Sequence, residues 1–121
     1  MSLSIAELEL IARTKEVVIE TRLGDRVFRT VIWVVVDGED VFVRSVRGEA
    51  GRWFQRALAE PAVTLGVAES RFLFTATPAD DPESVDRVSE ALRRKYSPGR
   101  SLDAMLRLEV LRTTLLLEPT G

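Results

Sequence analysis

The chain has 121 residues, of which 45% are apolar, and a formal net charge of −2, which fits one domain with a buried core, expected to span residues 1–121. With no cysteine and no histidine, disulfides, thiolate and imidazole catalysis and ordinary zinc sites are excluded, so any redox chemistry has to be carried by a cofactor. The mildly acidic balance, without a lysine-rich run, excludes nucleic acid as the expected partner.

All basic residues except Lys15 and Lys95 are arginine, whose planar fork of donors suits phosphate and carboxylate. The N-terminal segment lacks the basic-then-apolar layout of a secretory signal, and no apolar stretch is long enough to span a bilayer. The expected location is therefore cytoplasmic, with no membrane partner.

Ser4 and Glu7 form a capping-box pattern, with Leu3 and Leu8 placed as a hydrophobic staple, so a short helix is predicted from about Ile5 to Arg13. From Glu16 to Arg22 the residues alternate, with Val17, Ile19 and Thr21 on one face, as in a strand. Leu23-Gly24-Asp25 turns the chain. Val27–Val36 is then predicted as one long strand, apolar on both faces over Val31–Val36, so both faces are expected to be covered. Asp37-Gly38 marks a hairpin, and Val41–Ser45 returns as a third strand.

Between Glu49 and Glu60, Trp53, Phe54, Ala57 and Leu58 fall at helical spacing, and Pro61 stops that helix. Val63–Val67 and Arg71–Thr77 read as strands joined by the Ala68-Glu69-Ser70 turn. Asp81-Pro82-Glu83 supplies an N-cap, a first-turn proline and an early acid to a helix carrying Val85, Val88, Leu92 and Tyr96 on one stripe. Pro98-Gly99 ends it, a short turn or helix covers Leu102–Leu106, and Glu109–Leu117 returns as the sixth strand. Six strands joined mostly by short turns fit a predominantly antiparallel small barrel with peripheral helices better than a parallel βαβ sheet.

Arg29-Thr30 at the head of the second strand, Arg44-Ser45-Val46-Arg47-Gly48 at the end of the third, and Arg52-Trp53 at the next helix bring arginines and hydroxyls to one strand–loop–helix junction. Donors converging on a helix start in this way build an anion pocket, and the ligand class they suggest is phosphorylated. The plain alternative for Arg44, Arg47 and Arg52 is surface arginine paired with Glu39, Asp40 or Glu49. For Trp33 and Trp53 it is ordinary core packing. Tyr96 with Arg93, Arg94, Lys95 and Arg100 offers a substrate or nucleotide-tail contact, but the favoured reading is the closing residue of an apolar stripe among cations that complement the helix dipole. Glu39/Asp40 and Asp80/Asp81 read as turn and cap chemistry.

In element order over the whole chain, and in motif over about forty residues, the sequence resembles the FMN-binding split β-barrel proteins related to pyridoxamine 5'-phosphate oxidase and their deazaflavin-dependent nitroreductase-like relatives. The residues that carry the resemblance are Arg29–Trp33, the Asp37-Gly38 hairpin, Val43-Arg44-Ser45 and the run from Arg52-Trp53 to Ala59-Glu60-Pro61-Ala62-Val63. It implies a flavin-dependent oxidoreductase that transfers hydride or electrons to a small-molecule acceptor, with FMN as cofactor or a deazaflavin as the alternative, and a homodimer as the assembly. By position it implies Arg29, Thr30, Ile32 and Trp33 along the isoalloxazine and ribityl side and Ser45, Arg47 and Arg52 at the phosphate, with Trp53 among the cofactor-binding residues. The oxidase pattern's lysine before the helix is absent, with Arg52 nearest to it, and Glu49 places a carboxylate beside the anion site. The absence of histidine argues against vitamin-B6 oxidation. A non-catalytic module for a phosphorylated small molecule is the alternative outside enzymes.

Overall fold

The computed structural model describes residues 2–120, so Met1 and Gly121 of the expected domain lie outside the described residues. Helix α1 (Ile5–Arg13) starts at the capping box: the Ser4 hydroxyl accepts from Glu7 N at 3.1 Å, and the Glu7 carboxylate accepts from Ser4 N at 2.8 Å. These bonds satisfy amides that a helix start otherwise leaves free. Leu3, Leu8 and Ile11 then hold α1 against the core.

Strands β1 (Glu16–Leu23), β2 (Arg26–Trp33), β3 (Val35–Asp37), β4 (Asp40–Val43), β5 (Ala62–Val67), β6 (Ser70–Pro78) and β7 (Leu115–Pro119) form one antiparallel sheet. Its order is β2-β1-β5-β6-β7-β4-β3. The outermost strands β2 and β3 are consecutive in sequence, separated only by Val34, so the chain itself closes the sheet into an antiparallel barrel with peripheral helices. The predicted Val27–Val36 strand is thus divided, giving seven strands where six were expected.

The division has a physical cause. Trp33 pairs with Glu16 on β1 and Val35 with Phe42 on β4, so the backbone has to leave one ladder for another at Val34. The end of α3 (Pro82–Lys95) satisfies the groups set free there. Val34 N donates to the Tyr96 hydroxyl at 3.2 Å, and Lys95 Nζ donates to Val34 O at 2.6 Å. The same ammonium donates to Ile11 O and Thr14 O at the end of α1. Tyr96 stacks on Trp33, with ring centroids 3.8 Å apart, and its hydroxyl donates to Lys15 O at 2.5 Å. Lys95 and Tyr96 at this helix end therefore brace the barrel's closing bend.

Burial raises the Tyr96 phenol to about 12 and, with Lys15 nearby, lowers Lys95 to about 8. A phenol raised from its ordinary value near 10 contributes stability that is complete below about pH 10 and is lost as pH rises through about 12. Lys95 has the opposite sign, because its buried ammonium is a penalty relieved as pH rises from about 8 toward 10.5. Tyr96 is the chain's one tyrosine, so the phenolate absorbance step reports it alone. The step is expected near pH 12 in the folded protein; a midpoint near 10 would show a solvated ring.

Two sequence expectations are corrected. The Glu109–Leu117 strand is instead helix α5 (Leu108–Leu111) followed by β7 from Leu115. The β-branched pair that suggested a strand folds back on the helix: Thr113 Oγ1 donates to Val110 O at 2.6 Å and Thr114 Oγ1 to Leu111 O at 2.7 Å. Within the single chain the Val31–Val36 stretch has one face open at Val31, which is 61% exposed. Leu58 also departs from the predicted apolar stripe and lies half exposed, while Trp53, Phe54 and Ala57 are buried.

Val31 and Val27 share an outward face with Leu73 of β6, which is 62% exposed. Glu20 lies buried within that face because Arg29 Nε (3.1 Å) and both terminal nitrogens of Arg71 (2.9 and 3.1 Å) cover it. The Arg71 bonds chiefly, and then Arg29, hold its carboxyl below the ordinary range against the opposing effect of burial.

Candidate functional site

After β4 the chain leaves the sheet and folds back on itself. Ser45 N donates to Thr113 Oγ1 at 3.0 Å, Ser45 Oγ donates to Gly48 O at 2.9 Å, and Gly48 N donates to Ser45 O at 2.9 Å. A single 3-10 turn (Gly48–Ala50) follows, then Gly51, where an added Cβ would stand 2.2 Å from Ser45 Oγ. A side chain there would have to push the Ser45 hydroxyl off Gly48 O, and the tight approach sets the start of α2 (Arg52–Ala59) beside the end of β4.

The result is a cavity of about 850 Å3, within the range of small-molecule sites. Strand β2 contributes Thr30, Ile32 and Trp33, the loop contributes Ser45 and Arg47, and α2 contributes Arg52 and Trp53. Helix α4 (Arg100–Met105) supplies a wall of Arg100, Ser101, Ala104 and Met105. Every candidate residue except Arg29 lines this one cavity. Arg29 is on the other face of β2, bound to Glu20, because successive side chains of a strand point to opposite faces.

Five guanidiniums line the cavity, those of Arg44, Arg47, Arg52, Arg56 and Arg100, against the single carboxylate of Glu16. Two of them are committed to the protein. Arg44 is 2% exposed and donates to Thr114 Oγ1, Ser89 Oγ, Met105 O and Val85 O at 2.9–3.1 Å. Burial, with the Arg93 charge nearby, lowers it to about 10, so it is still a cation at neutral pH. Arg56 lies 4.1 Å over the Phe28 ring and donates to Thr21 Oγ1 at 2.8 Å. Arg47, Arg52 and Arg100 have no hydrogen-bond or ion-pair partner among the described residues and are available to a ligand.

The buried Ser45 hydroxyl spends its proton on Gly48 O, so it shapes the loop and offers a ligand only lone pairs. Glu49 faces away from the cavity, in an adjoining groove with Arg112 at 3.4 Å. Trp53 is 7% exposed and packs edge-on to Phe54 in the core, while Trp33 backs onto Tyr96. Each tryptophan thus has one side in the interior and contributes to the cavity wall. Arg56 was missed by the sequence reading although it lies four residues after Arg52, one turn along the same helix face. Of the α4 wall only Arg100 was singled out in the sequence, among the cations around Tyr96; tertiary packing brings Ser101, Ala104 and Met105 in beside it.

A protein-family model described as "Uncharacterized protein conserved in bacteria (DUF2255)" matches residues 7–117. No curated protein matches the chain. Among solved structures, the chain superposes on a putative pyridoxamine 5'-phosphate oxidase from Listeria innocua with a TM-score of 0.69 at 15% identity, covering 94% of this chain and 90% of that one. A putative 5-nitroimidazole antibiotic resistance protein from Bacteroides thetaiotaomicron gives 0.71 at 10% identity, over 100% and 83% of the two chains. An FAD-binding protein from Mesorhizobium loti gives 0.63 at 10% identity, over 100% and 93%. The architecture is therefore the split barrel of pyridoxamine 5'-phosphate oxidase-like proteins.

Proposed function

We propose a function for a chain that belongs to the DUF2255 family of bacteria: it binds a phosphate-bearing flavin, FMN being the smallest that meets the requirement, and serves as an oxidoreductase toward a small-molecule acceptor. The observation that carries this reading is one cavity in which Ile32, Trp33 and Trp53 offer apolar and aromatic wall while Arg47 and Arg52 stand unpaired at the start of α2. The split-barrel proteins it superposes on include an FAD-binding one.

A bound flavin supplies the hydride or electron transfer. The protein's own part is position and charge: Thr30, Ile32 and Trp33 hold the ring plane, and Arg47 and Arg52 hold the phosphate by charge-assisted bonds. With no histidine or cysteine in the chain, protons come from solvent or substrate. The outward face of Val27, Val31 and Leu73 is closed by a second copy of the chain, making a homodimer.

The test is the visible spectrum of the purified protein titrated with FMN, riboflavin and a deazaflavin, with light scattering on the loaded sample. FMN is expected to bind at least about tenfold more tightly than riboflavin, since the phosphate's charge-assisted bonds exceed 1.4 kcal/mol, in a particle of dimer mass. Reduction by a nicotinamide donor is expected to proceed without a steep rate change between about pH 6 and 7.5, where an imidazole would titrate. Equal affinity for FMN and riboflavin removes the phosphate assignment. Bound flavin that no donor reduces faster than free flavin leaves a binding module.

A further inference from the structure

A groove of about 670 Å3 adjoins the cavity, between the 3-10 turn at Gly48–Ala50 and α5. Val46 and Arg47 line both, so a ligand whose phosphate meets Arg47 has its next group delivered into the groove. The fold leaves apolar surface bare there, with Leu108 82% and Val46 50% exposed. Arg107 has no partner among the described residues. Arg112 has only the contact at 3.4 Å to Glu49, between two solvated side chains, which a ligand readily displaces. Glu109 adds an acceptor.

We propose that this groove takes the adenylate arm of a dinucleotide flavin, so that the complete ligand is FAD and FMN fills only the first part of the site. The inference rests on the flavin reading and extends it by naming the ligand's second half. The groove supplies what such an arm requires: apolar surface for the face of a base, guanidiniums for a second phosphate, and a carboxylate to accept from a ribose diol. The mixed charge also selects among extended ligands. A polycarboxylate tail would meet Glu49 and Glu109 as like charges, whereas a nucleotide uses both signs.

The experiment measures FAD and FMN affinities for the full chain and for the Arg107→Ala/Arg112→Ala variant, read from flavin fluorescence. Both side chains are exposed, so the variant is expected to fold, and circular dichroism checks this. FAD is expected to bind about tenfold more tightly than FMN to the natural chain, and the double substitution to erase that preference while FMN affinity stays within about twofold, because exposed charge-assisted contacts sum to a little over 1.4 kcal/mol. FMN binding with no gain from the adenylate arm, or a preference that survives the substitutions, overturns the groove assignment alone. Failure of both flavins to bind overturns the flavin reading and this inference with it.

Discussion

Replacing Arg47 and Arg52 together with alanine is expected to weaken FMN binding by about 2–4 kcal/mol, roughly thirtyfold to several hundredfold. Each guanidinium has no partner among the described residues and lines the cavity beside the start of α2, so each is available for charge-assisted bonds worth about 1.5–3 kcal/mol. The sum is discounted because both side chains are exposed and two cations on one phosphate are not additive. For the same reason the fold is expected to be untouched, with unfolding free energy within about 0.5 kcal/mol of the natural chain. Calorimetric titration of FMN into the two proteins measures the difference. A double variant that retains full FMN affinity would place the phosphate elsewhere, and Arg100, the cavity's other unpaired guanidinium, would be the next residue to replace. Riboflavin serves as the internal control, since losing the two arginines should scarcely change its affinity.

How far the sequence alone reaches can be seen residue by residue. Helix α1 and the start of α3 were legible because capping is local chemistry: Ser4 with Glu7, and Asp81 accepting from Ser84 N at 3.0 Å behind Pro82, lie within a few residues of what they satisfy. The hairpins were legible on the same ground, with Gly24 and Gly38 at φ +63°. The division at Val34 was not, because its partners Tyr96 and Lys95 lie some sixty residues away. Nor was the threonine pair before β7, where intrinsic strand preference lost to hydroxyls that serve helix carbonyls and the Ser45 amide.

The candidate site shows the same boundary. Thr30, Arg47, Arg52 and Trp53 were picked out by the strand–loop–helix junction, and Ile32 only by the family resemblance. Arg29 fell on the opposite face from its neighbour Thr30 because the alternation that sends one inward sends the other out, to Glu20. Residue type alone could not separate Arg44 from Arg47. One has 2% of its surface exposed and the other is open to solvent, a difference decided by α3, α4 and β7 closing over the first.

That enclosure makes Arg44 the position whose loss is expected to cost the fold most. Its guanidinium spends four of its five N–H groups on acceptors from three separate elements: Ser89 Oγ and Val85 O on α3, Met105 O at the end of α4, and Thr114 Oγ1 ahead of β7. No carboxylate among the described residues pairs with it, so the interior tolerates the charge because those dipoles converge on it. Arg44→Ala removes the charge, takes the guanidinium's donors away from four acceptors and leaves a void where the side chain stood. Together these cost about 3–5 kcal/mol, measurable as a lower midpoint in urea unfolding. Arg44→Lys is expected to recover only a minor part, because a single ammonium has three donors at one point and cannot span α3, α4 and β7 at once. Met105 is held through its carbonyl, so α4 should loosen first, with faster amide exchange over Arg100–Met105 than over β1 or β5. Loosening that wall is expected to open the cavity and, on the flavin reading, to lower flavin affinity. An Arg44→Ala protein within about 1 kcal/mol of the natural chain, with α4 equally protected, would mean that packing of Leu102 and Met105 alone holds the wall.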